Sequence, residues 1–157
     1  MLDFLKKEVN IYSPVKGKVV DLEVVPDEMF SRKMLGDGVA IEIHDNIICS
    51  PVKGTIRALF PTKHAFLVET KEGVEVLVHI GLDTVDLKGE GFDSLADIDD
   101  KVKAGEPVIK VNRELVKEKG FNLITMVIVT NIDKIKNIEV VGNGESNLGD
   151  KIVRCKF

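Results

Sequence analysis

A five-residue motif occurs twice in the chain, each time in front of a run typical of a β-strand. Residues 13–17 read SPVKG, and the same five residues return at 50–54. Proline fixes φ and glycine permits turns that other residues resist, so both copies are expected to form the same bend. The strand-like runs that follow are 18–25 and 55–60. Two similar β-motifs packed together favour a sandwich with a pseudo-two-fold relation, and chance reuse of a common Pro–Gly turn is the alternative.

The remaining chain is also rich in short strand-like runs separated by turn signals. Further candidate strands are 38–43, 47–49, 108–111, 124–129, 138–141 and 151–156. One short helix is predicted over Asn112–Lys119, because Asn112 can cap it and Gly120 can end it. Residues 92–98 and 131–136 are each expected to make a turn or two. The pattern predicts an all-β fold, a sandwich or barrel with few short helices.

Composition bounds the class of protein. A length of 157 residues predicts one domain, and 5% aromatic residues without Trp predict a core of Val, Ile and Leu. The net charge of −4 argues against nucleic-acid binding, which needs a basic surface. No run reaches the length of a membrane span, and no signal peptide is recognisable. Cys49 and Cys155 are therefore interpreted as reduced thiols of a cytosolic protein.

The first ten residues differ from the rest of the chain. Leu2, Leu5 and Val9 fall at helical spacing, which is typical of a short amphipathic segment that touches a membrane or a partner. A frayed terminus is an equally open alternative, because isolated helices this short are marginal in water. We therefore divide the chain into a flexible N-terminal tail, residues 1–10, and a single domain, residues 11–157.

Two of the three histidines, His64 and His79, flank a predicted β-hairpin with its turn near residues 71–73. An even-numbered loop pairs residues whose numbers sum to 143, which places His64 directly opposite His79 on one face. The predicted histidine face also holds Phe66, Val68, Glu75 and Leu77. The predicted core face holds Ala65, Leu67, Val74, Val76 and Val78. An odd-numbered loop would slip the register by one residue and separate the histidines.

A close pair of imidazoles has several possible uses. It can bind a metal, share a proton or pass a phosphoryl group, and each histidine can also be an ordinary strand residue. A zinc hydrolase would need a third ligand and an open water position. His44 is a candidate third ligand, although nothing in the sequence draws it to the pair. Motifs for a nucleotide P-loop, a Rossmann turn and a nucleophile elbow are absent from the sequence.

A longer pattern surrounds the second histidine. Residues 78–85 read VHIGLDTV and residues 87–92 read LKGEGF. The chain thereby resembles the glucose-type enzyme IIA family of the bacterial phosphoenolpyruvate-dependent sugar phosphotransferase system, whose HxGxDTVxLxGxGF signature is met at every fixed position. Thr62-x-His64-Ala65, the 15-residue offset between the histidines, residues 36–40 and both SPVKG turns are similar to the family too. The resemblance runs from about Asn10 to Lys156.

The resemblance implies a role for each matching residue. It implies that His79 is the phosphoryl acceptor, that His64 supports the phosphoryl group and that Thr62 hydrogen-bonds His64. It also implies that Asp83 lies near the active site. The family fold is an antiparallel β-sandwich with a duplicated motif, which agrees with the SPVKG repeat.

The family also carries an apolar rim for docking partners around its active site. The stretches that correspond to this rim hold Met29, Phe30, Leu35, Phe60 and Leu77. Position 77 is often aromatic in relatives, so the rim of this chain is a little less aromatic.

The resemblance implies a phosphoryl carrier in sugar uptake. The donor is phospho-HPr, the acceptor is a cysteine of an enzyme IIB domain or IICB permease on another chain, and the unphosphorylated face can bind regulatory targets. We expect no required cofactor, with zinc at His64 and His79 only incidental. We also expect a cytoplasmic monomer that is transiently at the inner face of the membrane. The transported sugar cannot be read from this chain.

Overall fold

A computed structural model describes residues 8–157 of the chain. The predicted amphipathic tail falls mostly on residues 1–7, which lie outside the described residues. The first strand begins at Glu8, where Glu8 pairs with Lys156 and Asn10 pairs with Arg154. The last three residues of the predicted tail therefore belong to a sheet, and the division into tail and single domain otherwise stays a prediction.

Strands make up most of the regular structure of residues 8–157. The strands are β1 Glu8–Tyr12, β2 Gly17–Asp21, β3 Asp37–Ile43, β4 Ile47–Cys49, β5 Gly54–Leu59, β6 Ala65–Glu69, β7 Glu75–Ile80, β8 Phe92–Ser94, β9 Lys101–Val102, β10 Pro107–Val111, β11 Thr125–Val129, β12 Asn137–Val140, β13 Gly144–Ser146 and β14 Lys151–Lys156. The helices are α1 Glu28–Ser31 and α2 Arg113–Glu118, with 3-10 turns at Leu22–Val24, Thr84–Leu87 and Ile132–Lys134.

The strands form three antiparallel sheets. The largest has the order β13–β2–β3–β11–β7–β6–β5–β9, and the two smaller sheets have the orders β1–β14–β12 and β4–β10–β8. Aliphatic side chains from all three sheets build one main core, in which Val, Ile and Leu predominate as the composition predicts. The predicted all-β, antiparallel class is therefore confirmed.

The two SPVKG motifs form the same bend and bond to each other reciprocally. Within each motif the serine hydroxyl donates to the valine carbonyl at 2.7 Å. Between the motifs, Tyr12 N donates to the Pro51 carbonyl at 2.9 Å, and Cys49 N donates to the Pro14 carbonyl at 2.8 Å. The repeat is thus a structural duplication with a local two-fold relation, as the sequence predicts.

The duplication also includes strands of the C-terminal half, an extension that the sequence did not predict. Ser13 N donates to the Asp150 carbonyl at 2.7 Å, and its equivalent Ser50 N donates to the Glu106 carbonyl at 2.8 Å. Asp150 directly precedes β14 and Glu106 directly precedes β10. Since β14 pairs with β1 and β10 pairs with β4, each motif has a matching partner strand from the C-terminal half.

Most predicted elements are confirmed, with several differences. Helix α2 is capped as predicted, because Asn112 Oδ1 accepts from Leu115 N at 3.1 Å and Gly120 follows with φ +88°. The predicted strand 18–25 ends at Asp21 and continues as a 3-10 turn. The predicted turn at 92–98 begins with a strand, since β8 pairs with β10. Helix α1 and the strands β1, β9 and β13 were not predicted.

A second, smaller core covers the outer face of the large sheet. Side chains alternate along β3 and β11, so Ala40, Met126 and Ile128 point away from the main core. Leu22, Val25 and Phe30 pack on them from the segment that contains α1. This packing places Phe30 of α1 beside His79 of β7, where the candidate site lies. Among the described residues, no helix has the length and apolar character that a membrane crossing requires.

Candidate active site

The β6–β7 hairpin has a different register from the predicted one. Ala65 pairs with His79 and Glu69 pairs with Glu75, so paired residue numbers sum to 144. Thr70 N donates to the Val74 carbonyl at 2.9 Å, which closes a three-residue loop that ends at Gly73 with φ +95°. Hairpin loops of this length need a left-handed residue at that position, and glycine supplies it. The prediction that His64 lies directly opposite His79 is therefore wrong.

The slip moves half of the hairpin to the other face. Phe66 and Val68 are fully buried in the main core, whereas Ala65 and Leu67 share the face of His79. The predictions for these four residues are wrong. The predictions for β7 and for Val74, which precedes it, are confirmed, because Val74, Val76 and Val78 are buried in the main core while Leu77 alternates with them.

The two histidine rings meet in spite of the register. His64 lies outside β6, as the last residue of the loop that joins β5 to β6. Lys63 precedes it with φ +59°, so the backbone leaves the extended path and strand alternation no longer applies to His64. The ring centroids of His64 and His79 are 4.9 Å apart at an interplanar angle of 82°. The pairing of the histidines thus comes from a loop conformation and not from a strand pair.

His79 is held in one tautomer by the backbone. Its Nδ1 lies 2.9 Å from the Gly81 carbonyl oxygen. Because a carbonyl can only accept, Nδ1 carries the proton and Nε2 keeps a free lone pair in the neutral ring. Burial lowers the pKa of His79, while the Gly81 hydrogen bond and the carboxylates of Asp27 and Asp83 act in the opposite direction. The ring is therefore neutral at pH 7.

The turn after β7 requires glycine at position 81. Gly81 has φ +84°, and a Cβ there would lie 2.5 Å from Thr84 Cγ2 and 2.9 Å from the Asn122 carbonyl oxygen. The Thr84 hydroxyl, fully buried, donates to the Ile80 carbonyl at 2.6 Å and closes the turn. The G-x-D-T part of the sequence motif therefore forms the turn that presents the Gly81 carbonyl to His79.

His64 is the more buried ring of the pair, with 4% of its surface exposed. Its Nδ1 lies 2.6 Å from the hydroxyl oxygen of Thr62, the residue that the resemblance pairs with it. Burial lowers the pKa of His64 to about 4, and the neighbouring His79 adds to the shift. Two neutral imidazoles thus lie edge to face at pH 7.

Aromatic rings border both imidazoles. Phe30 lies 5.1 Å from His79 and Phe60 lies 5.4 Å from His64 between ring centroids. Of the five predicted rim residues, Phe30 and Leu77 are buried, whereas Met29, Leu35 and Phe60 are 36–44% exposed. The exposed members of the predicted rim are therefore Met29 and Leu35, on and after α1, together with Phe60 on the β5–β6 loop.

Comparison with known proteins gives the family. The model of the family described as phosphoenolpyruvate-dependent sugar phosphotransferase system, EIIA 1, matches residues 9–135. The chain belongs to this family. The glucose-specific EIIA component of Halalkalibacterium halodurans is 45% identical over 92% of this chain and 83% of its own length. The glucose permease IIA of Mycoplasma capricolum has a structure that matches with a TM-score of 0.91 and 41% identity, over 96% of this chain and 97% of that one.

Some relatives are much longer. The glucose-specific EIICBA component of Staphylococcus carnosus is 43% identical over 93% of this chain, and the match spans 22% of that protein's length. The chain therefore spans about a fifth of the EIICBA relatives that it matches. Membership of the EIIA family makes the chain a component of a phosphotransferase system for sugar transport.

One residue near His79, Asp27, was not predicted from the sequence. Asp27 caps α1, where its Oδ1 accepts from Met29 N at 2.9 Å, and its charge acts on the pKa of His79. Asp after Pro26 and before Glu28 is a recognisable helix start, so the signal was present but short. Asp83, which the resemblance placed near the site, is exposed at the start of the 3-10 turn and also acts on His79.

The third histidine lies elsewhere. His44 follows β3, and its Nδ1 lies 3.4 Å from Glu145 Oε1. Within residues 8–157, no three side chains of His, Cys, Asp or Glu are grouped in a way that could hold a metal ion. His64 and His79 therefore offer a metal two nitrogen ligands, whereas a structural zinc site has four protein ligands and a catalytic one has three.

Proposed function

We propose that the chain is a phosphoryl carrier that accepts a phosphoryl group on Nε2 of His79 and passes it to another protein. The observation that carries the proposal is the 2.9 Å contact of His79 Nδ1 with the Gly81 carbonyl. It leaves Nε2 as the nucleophile and keeps the Nδ1 proton away from the reacting atom. The lowered pKa of His79 keeps this lone pair unprotonated at neutral pH.

The transfer exchanges one phosphorus–nitrogen bond for another. Nε2 of His79 attacks the phosphorus of phospho-HPr, a P–Nε2 bond forms, and the imidazole of HPr leaves. The charge that develops on the His79 ring is balanced by the Gly81 carbonyl at Nδ1–H, with Asp27 and Asp83 acting in the same direction. Little covalent help from other groups is needed, because phosphoryl transfer depends mainly on position and charge stabilisation.

His64 supplies a hydrogen-bond donor for the transferred group. We assign the Thr62 hydroxyl as the donor to His64 Nδ1, which leaves the His64 proton on Nε2 and directed out of that contact. A pKa of about 4 keeps His64 neutral, so this assignment persists across the physiological range. A donor of this kind stabilises a phosphoryl group without competing for it as a second nucleophile.

The exposed apolar rim serves as the docking surface. Met29, Leu35 and Phe60 can exclude water from a phosphohistidine and contact HPr and then a IIB domain in turn. The final acceptor in this scheme is a IIB cysteine thiolate; Cys49 and Cys155 are buried here and take no part. Several relatives carry the words glucose-specific in their names, so glucose is the sugar we propose to test first.

The remaining expectations complete the proposal. We propose a cytoplasmic monomer, transiently at the membrane through its permease, which needs no cofactor and binds zinc at His64 and His79 only incidentally. Binding of regulatory targets by the unphosphorylated face is a further part of the proposal.

The test is labelling by purified phospho-HPr in metal-free buffer. The wild type and the His44→Ala control should each take up one phosphoryl group, since His44 lies outside the site. His79→Ala should take up none. His64→Ala should still accept label but transfer it slowly to a IIB domain. Full labelling of His79→Ala, or loss of labelling on adding a chelator, would refute the proposal.

A further inference from the structure

The ladder between β7 and β11 is interrupted at a single carbonyl. Ile80 pairs with Thr125, so the next facing residues are Gly81 and Ile124. Gly81 N keeps its ladder bond, to the Ile124 carbonyl at 3.0 Å. The Gly81 carbonyl turns away and accepts from His79 Nδ1 instead. The Ile124 N–H thereby loses the acceptor that a regular antiparallel pair would give it.

Asn122 supplies the missing acceptor. Its Oδ1 accepts from Ile124 N at 2.9 Å, two residues along the chain, which is an Asx turn. The backbone carbonyl of the same residue accepts from Leu82 N at 2.9 Å. The backbone of Asn122 thus contacts the turn after β7. Its side chain binds the Ile124 N–H, so the Gly81 carbonyl is free to accept from His79.

We propose that Asn122 is a positioning residue for His79: by binding the Ile124 N–H, it leaves the Gly81 carbonyl to hold the proton on Nδ1. Without the carboxamide, the Ile124 N–H faces the Gly81 carbonyl as its ladder partner. A carbonyl turned toward β11 is turned away from the imidazole. The His79 proton then moves to Nε2, and the atom that the proposed function requires as nucleophile is blocked. The consequence for transfer rests on the proposed function, whereas the consequence for the tautomer does not.

The first measurement is the tautomer of His79, read from imidazole 15N chemical shifts at pH 8, where the ring is neutral. Asn122→Ala should lower the ratio of Nδ1–H to Nε2–H about tenfold, the factor that corresponds to one ordinary hydrogen bond. Asn122→Ser keeps a shorter acceptor and should stay within about threefold of the wild type. The matched control is Asn112→Ala, which removes the same kind of acceptor from the start of α2. It should leave the ratio unchanged.

An unchanged ratio in Asn122→Ala would overturn the inference, because it would mean that water satisfies the Ile124 N–H equally well. A change of the same size in Asn112→Ala would also overturn it, since the effect would then be general loosening. The second measurement is the labelling rate from phospho-HPr, which should fall with the tautomer ratio across the three variants. A shifted tautomer without any change in labelling would contradict the proposed function and leave the positioning role intact.

Discussion

Burial of a neutral His64 should make the protein sensitive to mild acid. The folded-state pKa of His64 is about 4, below its ordinary value of 6.5. As the pH falls, the unfolded chain therefore binds a proton before the folded chain does. The contribution to stability is intact above pH 6.5 and is lost progressively down to about pH 4. Between pH 7 and pH 5 the loss from this group is about 2 kcal/mol, at 1.36 kcal/mol for each pH unit.

The window between pH 7 and pH 5 isolates the histidines, because ordinary carboxylates titrate below it. The change to test is His64→Gln, which keeps a polar side chain beside Thr62 but cannot be protonated. Urea unfolding followed by circular dichroism suits a chain with one Tyr and no Trp. The wild type should lose about 2 kcal/mol more than His64→Gln between the two pH values.

His44→Gln is the control for this measurement, because that side chain is 46% exposed and lies beside Glu145. It should lose as much stability as the wild type on acidification. His79, whose pKa is lowered mainly by burial, contributes in the same direction and is present in all three proteins. If His64→Gln loses as much stability as the wild type, the reasoning that burial keeps His64 neutral is refuted.

Two further predictions concern the backbone that presents the histidines. Lys63→Asn should raise the free energy of unfolding by about 1 kcal/mol, because asparagine tolerates the left-handed φ of +59° better than lysine. The control Lys71→Asn, in the next loop, should not raise it. Equal effects of the two substitutions in thermal unfolding would contradict the explanation. Gly81→Ala should cost about 3 kcal/mol, and Gly73→Ala only about 1 kcal/mol, since both have positive φ but only Gly81 faces an atom within 2.5 Å, Thr84 Cγ2. Equal losses in denaturant unfolding would show that the close contact carries no cost.

The sequence was most informative where a local rule decides the structure. The SPVKG turns, the cap of α2 at Asn112 and the alternation along β7 all depend on residues close in the chain, and they are confirmed. The duplication in the C-terminal half was missed, because residues 104–111 and 148–155 have only one identical residue, the Gly, and are otherwise similar only in residue class.

The hairpin shows where local rules fail. The residues 71–73 fit a two-residue or a three-residue loop, and one residue of difference changes the face of every side chain on β6. Gly73 at the third loop position was the available signal for the odd count. The meeting of His64 with His79 depends on the left-handed Lys63, a residue type that rarely adopts that conformation, so strand counting could not have placed it.

The duplicated scaffold gives His79 an apolar counterpart. Val19 and Ile56 each lie two residues after a motif glycine. Their ladder partners match in turn, so Ile41 corresponds to Val68 and Thr125 corresponds to Val76. Three residues further along their strands, Ile128 matches His79. Ile128 is fully buried beneath the segment that contains Phe30, whereas His79 is only partly covered where that segment ends. The candidate site therefore lies where the two halves differ. The segment that contains Phe30 buries Ile128, and the edge of this segment borders His79.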